Sequence, residues 1–171
     1  MSGDLKWRIE HLTQQHDVSS FDCGRPPLNN YLKRFALINQ NNGLNQAFVA
    51  VTRDGGNVKG YHVISAGAVA FSSVPSEFTK GVPKYPIPTG HLGRLAVDRE
   101  VQGQGLGEFL LMDALERIIR AADLLGIHAV EVFAKDDDAK RFYLKYGFTP
   151  LQDDELHLYL PIRLVKKLGL V

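Results

Sequence analysis

A single cysteine, Cys23, stands among 171 residues. That excludes an intramolecular disulfide framework and any CxxC metal or redox motif, and it suits a reducing compartment. No sign of charge prevails, since 20 Lys+Arg face 19 Asp+Glu and the sequence pI is near 7.9. Attraction to nucleic acid or an anionic membrane would therefore have to come from a local patch. No apolar run approaches the roughly 18 residues a membrane span needs. Met1–Thr13 carries Asp4, Lys6, Arg8 and Glu10 and has no apolar stretch of the secretory kind. The expectation is one cytoplasmic domain over 1–171, with no membrane association and no metal. At 44% hydrophobic residues the chain can build a sizeable core.

Leu5, Trp7 and Ile9 alternate with charged residues, the period of a half-buried strand. From Pro26 and Pro27 a helix is expected, with Leu28, Tyr31/Leu32, Phe35 and Ile38 as its apolar stripe and Asn39–Gly43 as its end. Ala47–Thr52 and Val58–Val69 read as a hairpin, because Asp54-Gly55-Gly56-Asn57 accepts the positive φ angles of a tight reversal. Between Phe71 and Gly90 lie four of the eight prolines, so this stretch reads as a surface loop and not as a central strand.

His91 then precedes a short apolar strand, Leu92–Val97, a turn at Asp98–Val101 and a glycine-rich stretch at Gln102–Gly107. A long helix follows, with Leu111, Leu115, Ile118, Ala122 and Leu125 on its apolar stripe, Glu108, Asp113 and Glu116 facing elsewhere, and Gly126 as its stop. Ala129–Ala134 reads as a strand, Asp136 as the cap of a second helix that ends near Gly147, and Leu156–Pro161 as a strand. Arg163–Val171 gives no clear signal.

A glycine-rich turn between a strand and a helix presents free backbone N–H groups and the positive end of a helix dipole, which suit a phosphate. The dinucleotide pattern GxGxxG fails here because Glu108 occupies the third glycine position, and no GxxxxGK[ST] occurs. What remains is QxxGxG at Gln102, Gly105 and Gly107. Downstream, Asp136, Ala139, Phe142, Tyr143, Gly147 and Phe148 fit DxxAxxFYxxxGF.

This pair of motifs resembles the two signatures of the GNAT acyltransferase superfamily, with Asp136 where many members carry Asn. The resemblance implies an α/β (α+β) fold with a mixed central sheet, splayed central strands and flanking helices. It also implies acetyl-CoA as acyl donor. Gln102, Gly103, Gln104, Gly105, Leu106 and Gly107 would hold its pyrophosphate, Leu95, Ala96 and Val97 would meet pantetheine and the thioester, and Asp136 and Phe142 would contribute from the second motif. By the same resemblance Tyr143 lies near the sulfur as general acid, since a phenol can donate to a developing thiolate. His91, six residues before Val97, is the candidate base.

A narrower resemblance rests on Phe21-Asp22-Cys23-Gly24, Leu28–Arg34, Gly60–Ile64, Gly93–Asp98 and Ala121–Asp123. These segments are similar to the GNAT toxins of bacterial toxin–antitoxin systems. The implied reaction is acetylation of the α-amine of aminoacyl-tRNA, which would block translation, and the implied partner is a DNA-binding antitoxin encoded nearby. A homodimer is compatible with it. Such a substrate requires cationic contacts to phosphate; Lys33, Arg34, Arg94 and Lys140 are the candidates, with Lys135, Arg141 and Lys145 in reserve. An ion pair is the other reading of Arg94. Asn39–Gln46 carries amides where a tRNA binder is expected to carry Arg or Lys. A small-molecule or protein amine is the alternative acceptor, and a non-catalytic acyl-CoA or partner-binding module the second alternative.

Overall fold

The computed structural model describes residues 6–169; Leu5, Leu170 and Val171 lie outside that range. Among the described residues there are seven strands: β1 (Trp7–His11), β2 (Gln46–Thr52), β3 (Val58–Val69), β4 (Ile87–Val97), β5 (Ala129–Phe133), β6 (Thr149–Pro150) and β7 (His157–Pro161). They form one mixed sheet in the order β1-β2-β3-β4-β5-β7-β6, with β4 and β5 parallel. The helices are α1 (Pro26–Asn30), α2 (Ala36–Asn41), α3 (Leu106–Ala122), α4 (Asp137–Lys145) and α5 (Ile162–Lys167). The chain divides into two compact units, the first comprising residues through Ser65 plus Gly93–Ala114, the second Ala66–Leu92 plus everything from Leu115.

In the first unit, β1, β2 and β3 form an antiparallel meander in which Trp7 pairs with Thr52 and Val51 with Val58. The expected hairpin forms, and Gly55 takes φ +80° in its turn. The expected helix also forms, but not as one regular cylinder. Between α1 and α2 the turn Tyr31–Phe35 is π-helical, with the Ala36 N–H bonding to the Tyr31 carbonyl. That wider turn moves the buried position on by one residue. Ala36 is therefore fully buried beside Tyr31 and Leu32, whereas Phe35 and Ile38 of the expected stripe are exposed. Phe21, Val49, Val51, Val58, Tyr61 and Ala96 complete this core. A second cluster sets Trp7 and Ala50 against Leu106 and Leu110 of α3.

In the second unit β4 starts at Ile87, five residues before the expected strand and inside the stretch read as loop. Pro88 is tolerated there because it need not donate: its carbonyl accepts the His128 N–H at 2.9 Å, and the ladder to β5 begins one residue later with Thr89 opposite Ala129. The preceding segment is not a loose loop either. It contains two 3₁₀ turns, Phe71–Ser73 and Ser76–Phe78, and buries Val74, Phe78 and Ile87 against Tyr159.

The stripe on α3 ends at Ile118. The helix stops at Ala122, and Leu125, expected on the stripe, is exposed beyond it together with Leu124. Asp113, expected to face away, instead places Oδ2 2.7 Å from Nε2 of the fully buried His62. The unassigned tail contains α5, which buries Ile162 and Val165.

Gly90 marks the tightest packing of β4. A Cβ there would lie 2.4 Å from Cγ2 of Ile118. Gly90→Ala is therefore expected to lower stability by about 1–3 kcal/mol through overpacking. A urea titration checks this, and an unchanged midpoint would contradict it.

Candidate active site

The glycine-rich loop is held at its start by side chains of the first unit. Asp98, buried where β4 ends, accepts from the Glu100 N–H at 2.9 Å and from the Asp22 N–H at 3.1 Å, while its own N–H reaches the Lys59 carbonyl at 2.8 Å. Arg99 N–H donates to the Asp22 carbonyl at 2.9 Å. Asp22 in turn accepts from Gly24 N–H and Asn29 Nδ2, both at 2.9 Å. The two early motifs, Phe21–Gly24 and Gly93–Asp98, are thus one hydrogen-bonded bracket. Cys23 is buried inside it with its thiol toward the Arg25 carbonyl.

Gln102 continues the bracket, its amide nitrogen donating to Val97 O at 3.0 Å and Cys23 O at 3.3 Å. Beyond it Gly103 and Gly105 have φ +80° and +91°, and a Cβ at either would have no neighbour within 4 Å. These are left-handed conformations that a side chain disfavours, next to open space. Gly105 also accepts the Phe109 N–H at 3.1 Å as α3 begins. The exposed loop Gln102–Gly105 therefore leads into the N–H groups that the first turn of any helix leaves without intrahelical partners. Gln104 precedes α3 and Gly107 lies in its first turn. Leu106 opens that turn with its side chain buried with Leu110 and Trp7, so it anchors the helix and offers only its backbone.

Leu95, Ala96 and Val97 follow the last residue of β4 that pairs with β5, for that ladder runs from Thr89 to Leu92 and stops. Ala96 is buried and its carbonyl packs close to Gly60, where a Cβ would come within 3.2 Å of it. Among the described residues no carboxylate pairs with Arg94 on the same strand; its guanidinium lies 3.5 Å from the centroid of the Tyr31 ring. The Tyr31 hydroxyl accepts from Asn39 Nδ2 at 3.1 Å and Asn45 Nδ2 at 2.9 Å. Gln40 ties α2 to the sheet, donating to Leu12 O and accepting from Ala47 N–H, each at 2.8 Å. Within the amide-rich stretch Asn39, Gln40 and Asn45 are braces, while Asn41 and Asn42 are exposed. Lys33 and Arg34 ride exposed on the π-helical turn, and Lys33 lines an open groove of about 620 Å³ with Pro26, Pro27, Asn29 and Asn30.

The second unit carries the second motif. Asp136 caps α4 by accepting the Ala139 N–H at 2.8 Å, as expected from sequence, so its carboxylate is engaged by its own helix. Phe142 packs edge-on against Tyr143 and Tyr146, at 5.2 Å in each case, and Tyr143 against Phe148 at 5.4 Å. Burial pushes the Tyr143 phenol well above its ordinary range, so at neutral pH it keeps its proton and can donate a hydrogen bond. Lys140 is half-buried on the same helix, beside Arg141, which pairs with Asp138.

His91 is bound to a group that the motifs did not reveal. Its Nδ1 lies 2.5 Å from Oε1 of Glu131, whose Oε2 lies 2.5 Å from Nε2 of His157, whose Nδ1 lies 2.9 Å from Oδ2 of Asp153. Burial alone would raise the Glu131 carboxyl; the hydrogen bonds from the two histidines outweigh it and hold the group below its usual value. An acid between two valines, Val130 and Val132, in a strand is the available signal. The partners come from β4 and β7, out of reach of any local pattern.

Comparison with known proteins follows these features closely. The acetyltransferase (GNAT) domain family matches residues 45–150. A tRNA-acetylating toxin of Mycobacterium tuberculosis (strain ATCC 25618 / H37Rv) is 41% identical over 149 residues, covering 87% of this chain and 88% of that protein. A solved structure of AtaT complexed with acetyl-methionyl-tRNAfMet superposes with TM-score 0.89 at 31% identity, covering 95% of this chain and 99% of that one. One of AtaTR bound with acetyl-CoA gives TM-score 0.84 at 31% identity, covering 96% and 98%.

If the left-handed glycines shape the anion site, Gly105→Ala carries a strain of about 1–2 kcal/mol and weakens acetyl-CoA binding on the order of tenfold. Calorimetry on the full chain checks this. Wild-type affinity in the variant would contradict the assignment.

Proposed function

Because this chain belongs to the GNAT acetyltransferase family, we propose that it moves acetyl from acetyl-CoA to the α-amine of aminoacyl-tRNA and so stops translation. The observation that carries the donor half is the bracketed loop, with two left-handed glycines opening onto a helix N-terminus. The acceptor half rests on the 41% identity to a tRNA-acetylating toxin, which spans most of both chains.

Aminolysis of a thioester needs a neutral amine, stabilisation of the tetrahedral oxyanion and a proton for the departing sulfur. In this reading Gln102–Gly107 holds the diphosphate through backbone N–H groups. Pantetheine lies along Leu95–Val97, past the end of the β5 ladder, where a backbone N–H of Ala96 or Val97 polarises the carbonyl. Tyr143, whose neutral phenol has no hydrogen-bond partner among the described residues, gives its proton or a hydrogen bond to the sulfur. His91 takes the proton of the attacking nitrogen. Asp136 serves by starting α4, and Phe142 by wedging Tyr143. Lys33, Arg34 and Lys140 supply contacts to tRNA phosphates, and Arg94 supports that surface through Tyr31.

The whole chain, 1–171, acts as one acetyltransferase domain in this reading, and it works in the cytoplasm, where both substrates reside. AtaT is known in complex with the antitoxin AtaR bound to DNA; a DNA-binding antitoxin is proposed as this protein's partner too. No helix among the described residues is long and apolar enough to cross a membrane.

Incubation with labelled acetyl-CoA and total charged tRNA tests the assignment. Label is expected on the aminoacyl group, and Tyr143→Phe is expected to lower kcat by about 10²–10⁴ while acetyl-CoA still binds. Label on a protein or small amine alone would overturn the acceptor. Full turnover in Tyr143→Phe would overturn the acid.

A further inference from the structure

One face of the second unit's sheet is unusually polar for a buried surface. By register, Thr89 and His91 of β4 lie beside Ala129 and Glu131 of β5, which lie beside Pro161 and Tyr159 of β7, with His157 next along that strand's face. Glu131 is buried at its centre with one oxygen on each of two histidines. Residue 67 on β3 is glycine, and a Cβ there would come within 3.1 Å of Oε1 of Glu131 and 3.2 Å of Cβ of His91. The backbone of β3 thus leaves the space this pair occupies.

The hydrogen-bond inventory assigns the protons. An ionised carboxylate can only accept. His157 has a carboxylate oxygen on each ring nitrogen, Glu131 on Nε2 and Asp153 on Nδ1, and it satisfies both only as the doubly protonated imidazolium. Glu131 is buried against His157 at 2.5 Å, whereas the Asp153 side chain is 41% exposed and screened by water, so His157 chiefly meets the charge of Glu131. His91 need contribute only a hydrogen bond, from Nδ1–H, which leaves the lone pair of a neutral imidazole on Nε2. Among the described residues nothing bonds to that Nε2, and the His91 side chain is 31% exposed whereas that of Glu131 is 6% exposed.

We propose that Glu131 is a positioning residue for acetyl transfer: it fixes His91 in the tautomer whose Nε2 accepts a proton from the acceptor amine, while His157, held in turn by Asp153, occupies its other oxygen. This rests on the acyl-transfer reading above. The neutral amine attacks the thioester carbonyl and an N–C bond forms. The nitrogen, now cationic, gives one proton to Nε2 of His91. The C–S bond breaks with its electron pair on sulfur, which takes up one proton, so an amide and a free thiol result and one N–H is exchanged for one S–H. The other groups facing this cluster are Thr89 from β4, Phe133 stacked on His157 at 3.9 Å, and Tyr159 from β7. Burial raises Tyr159 to about 12 despite Arg163 of α5, and it stays neutral. Gly67 brings no titratable group.

The test is the pH profile of kcat and KM on the full chain with acetyl-CoA and charged tRNA, for wild type, E131Q and H157Q. Removing the carboxylate in E131Q is expected to lower kcat by about 10–100-fold with KM for acetyl-CoA within about twofold, and to move the acid limb about one pH unit down. H157Q removes the counter-charge and exposes His91 to the full carboxylate, so its acid limb is expected to move up. Opposite displacements are not what loss of packing produces, and E131D, which keeps the charge, is expected to recover part of kcat. Should E131Q fail to fold, the upward displacement in H157Q alone decides. Profiles in E131Q and H157Q that overlay the wild type overturn the proposal. A wild-type chain that acetylates no amine at any pH overturns the acyl-transfer reading and this proposal with it, and that outcome is distinct from acetylation indifferent to Glu131.

Discussion

The buried carboxylate of Asp98 is the constraint on which the donor site depends. It sits where β4 ends and holds two backbone N–H groups, Glu100 ahead and Asp22 far back in sequence, while its own amide is tied to β3. A helix N-terminus binds an anion only if its free N–H groups stay where they point. Asp98 and the Gln102 amide fix the backbone on the near side of the loop, and α3, anchored by buried Leu106 and Leu110, fixes it on the far side. Between them only glycines adopt the required left-handed geometry at 103 and 105.

The residues proposed as acid and base are supported in a different manner. Tyr143 is packed among Phe142 and Phe148 and keeps its proton because burial disfavours the phenolate. His91 is oriented through a carboxylate that is itself held by a second histidine and a second acid. Packing thus fixes Tyr143, and a hydrogen-bonded chain fixes His91. A buried Glu131 without both histidines would be costly, because an isolated charge loses its hydration without compensation.

Much of this was legible in the residues. Local signals fixed what is local: the Asp54–Asn57 reversal, the Asp136 cap, the glycines of the loop, and the strand–loop–helix order around them. The helix from Pro26 was legible in extent but not in face, because a π-helical turn at Tyr31–Phe35 shifts the buried position to Ala36 and no periodicity announces it. The prolines between Phe71 and Gly90 hid the start of β4, since one of them sits in the strand at a position that need not donate. Asn39, Gln40 and Asn45 looked like a poor nucleic-acid surface and prove to be braces for Tyr31 and the first sheet strands. Glu131 needed strands from two distant segments before its role could be seen.

The most direct measurement of the central claim is an amide-resolved titration of the full chain with coenzyme A and with its dephosphorylated pantetheine fragment. The account predicts that coenzyme A perturbs the N–H signals of Gly103, Gly105 and Gly107 and that the fragment, which lacks the diphosphate, leaves them in place. Loop signals that respond equally to both, or not at all to coenzyme A, would contradict it.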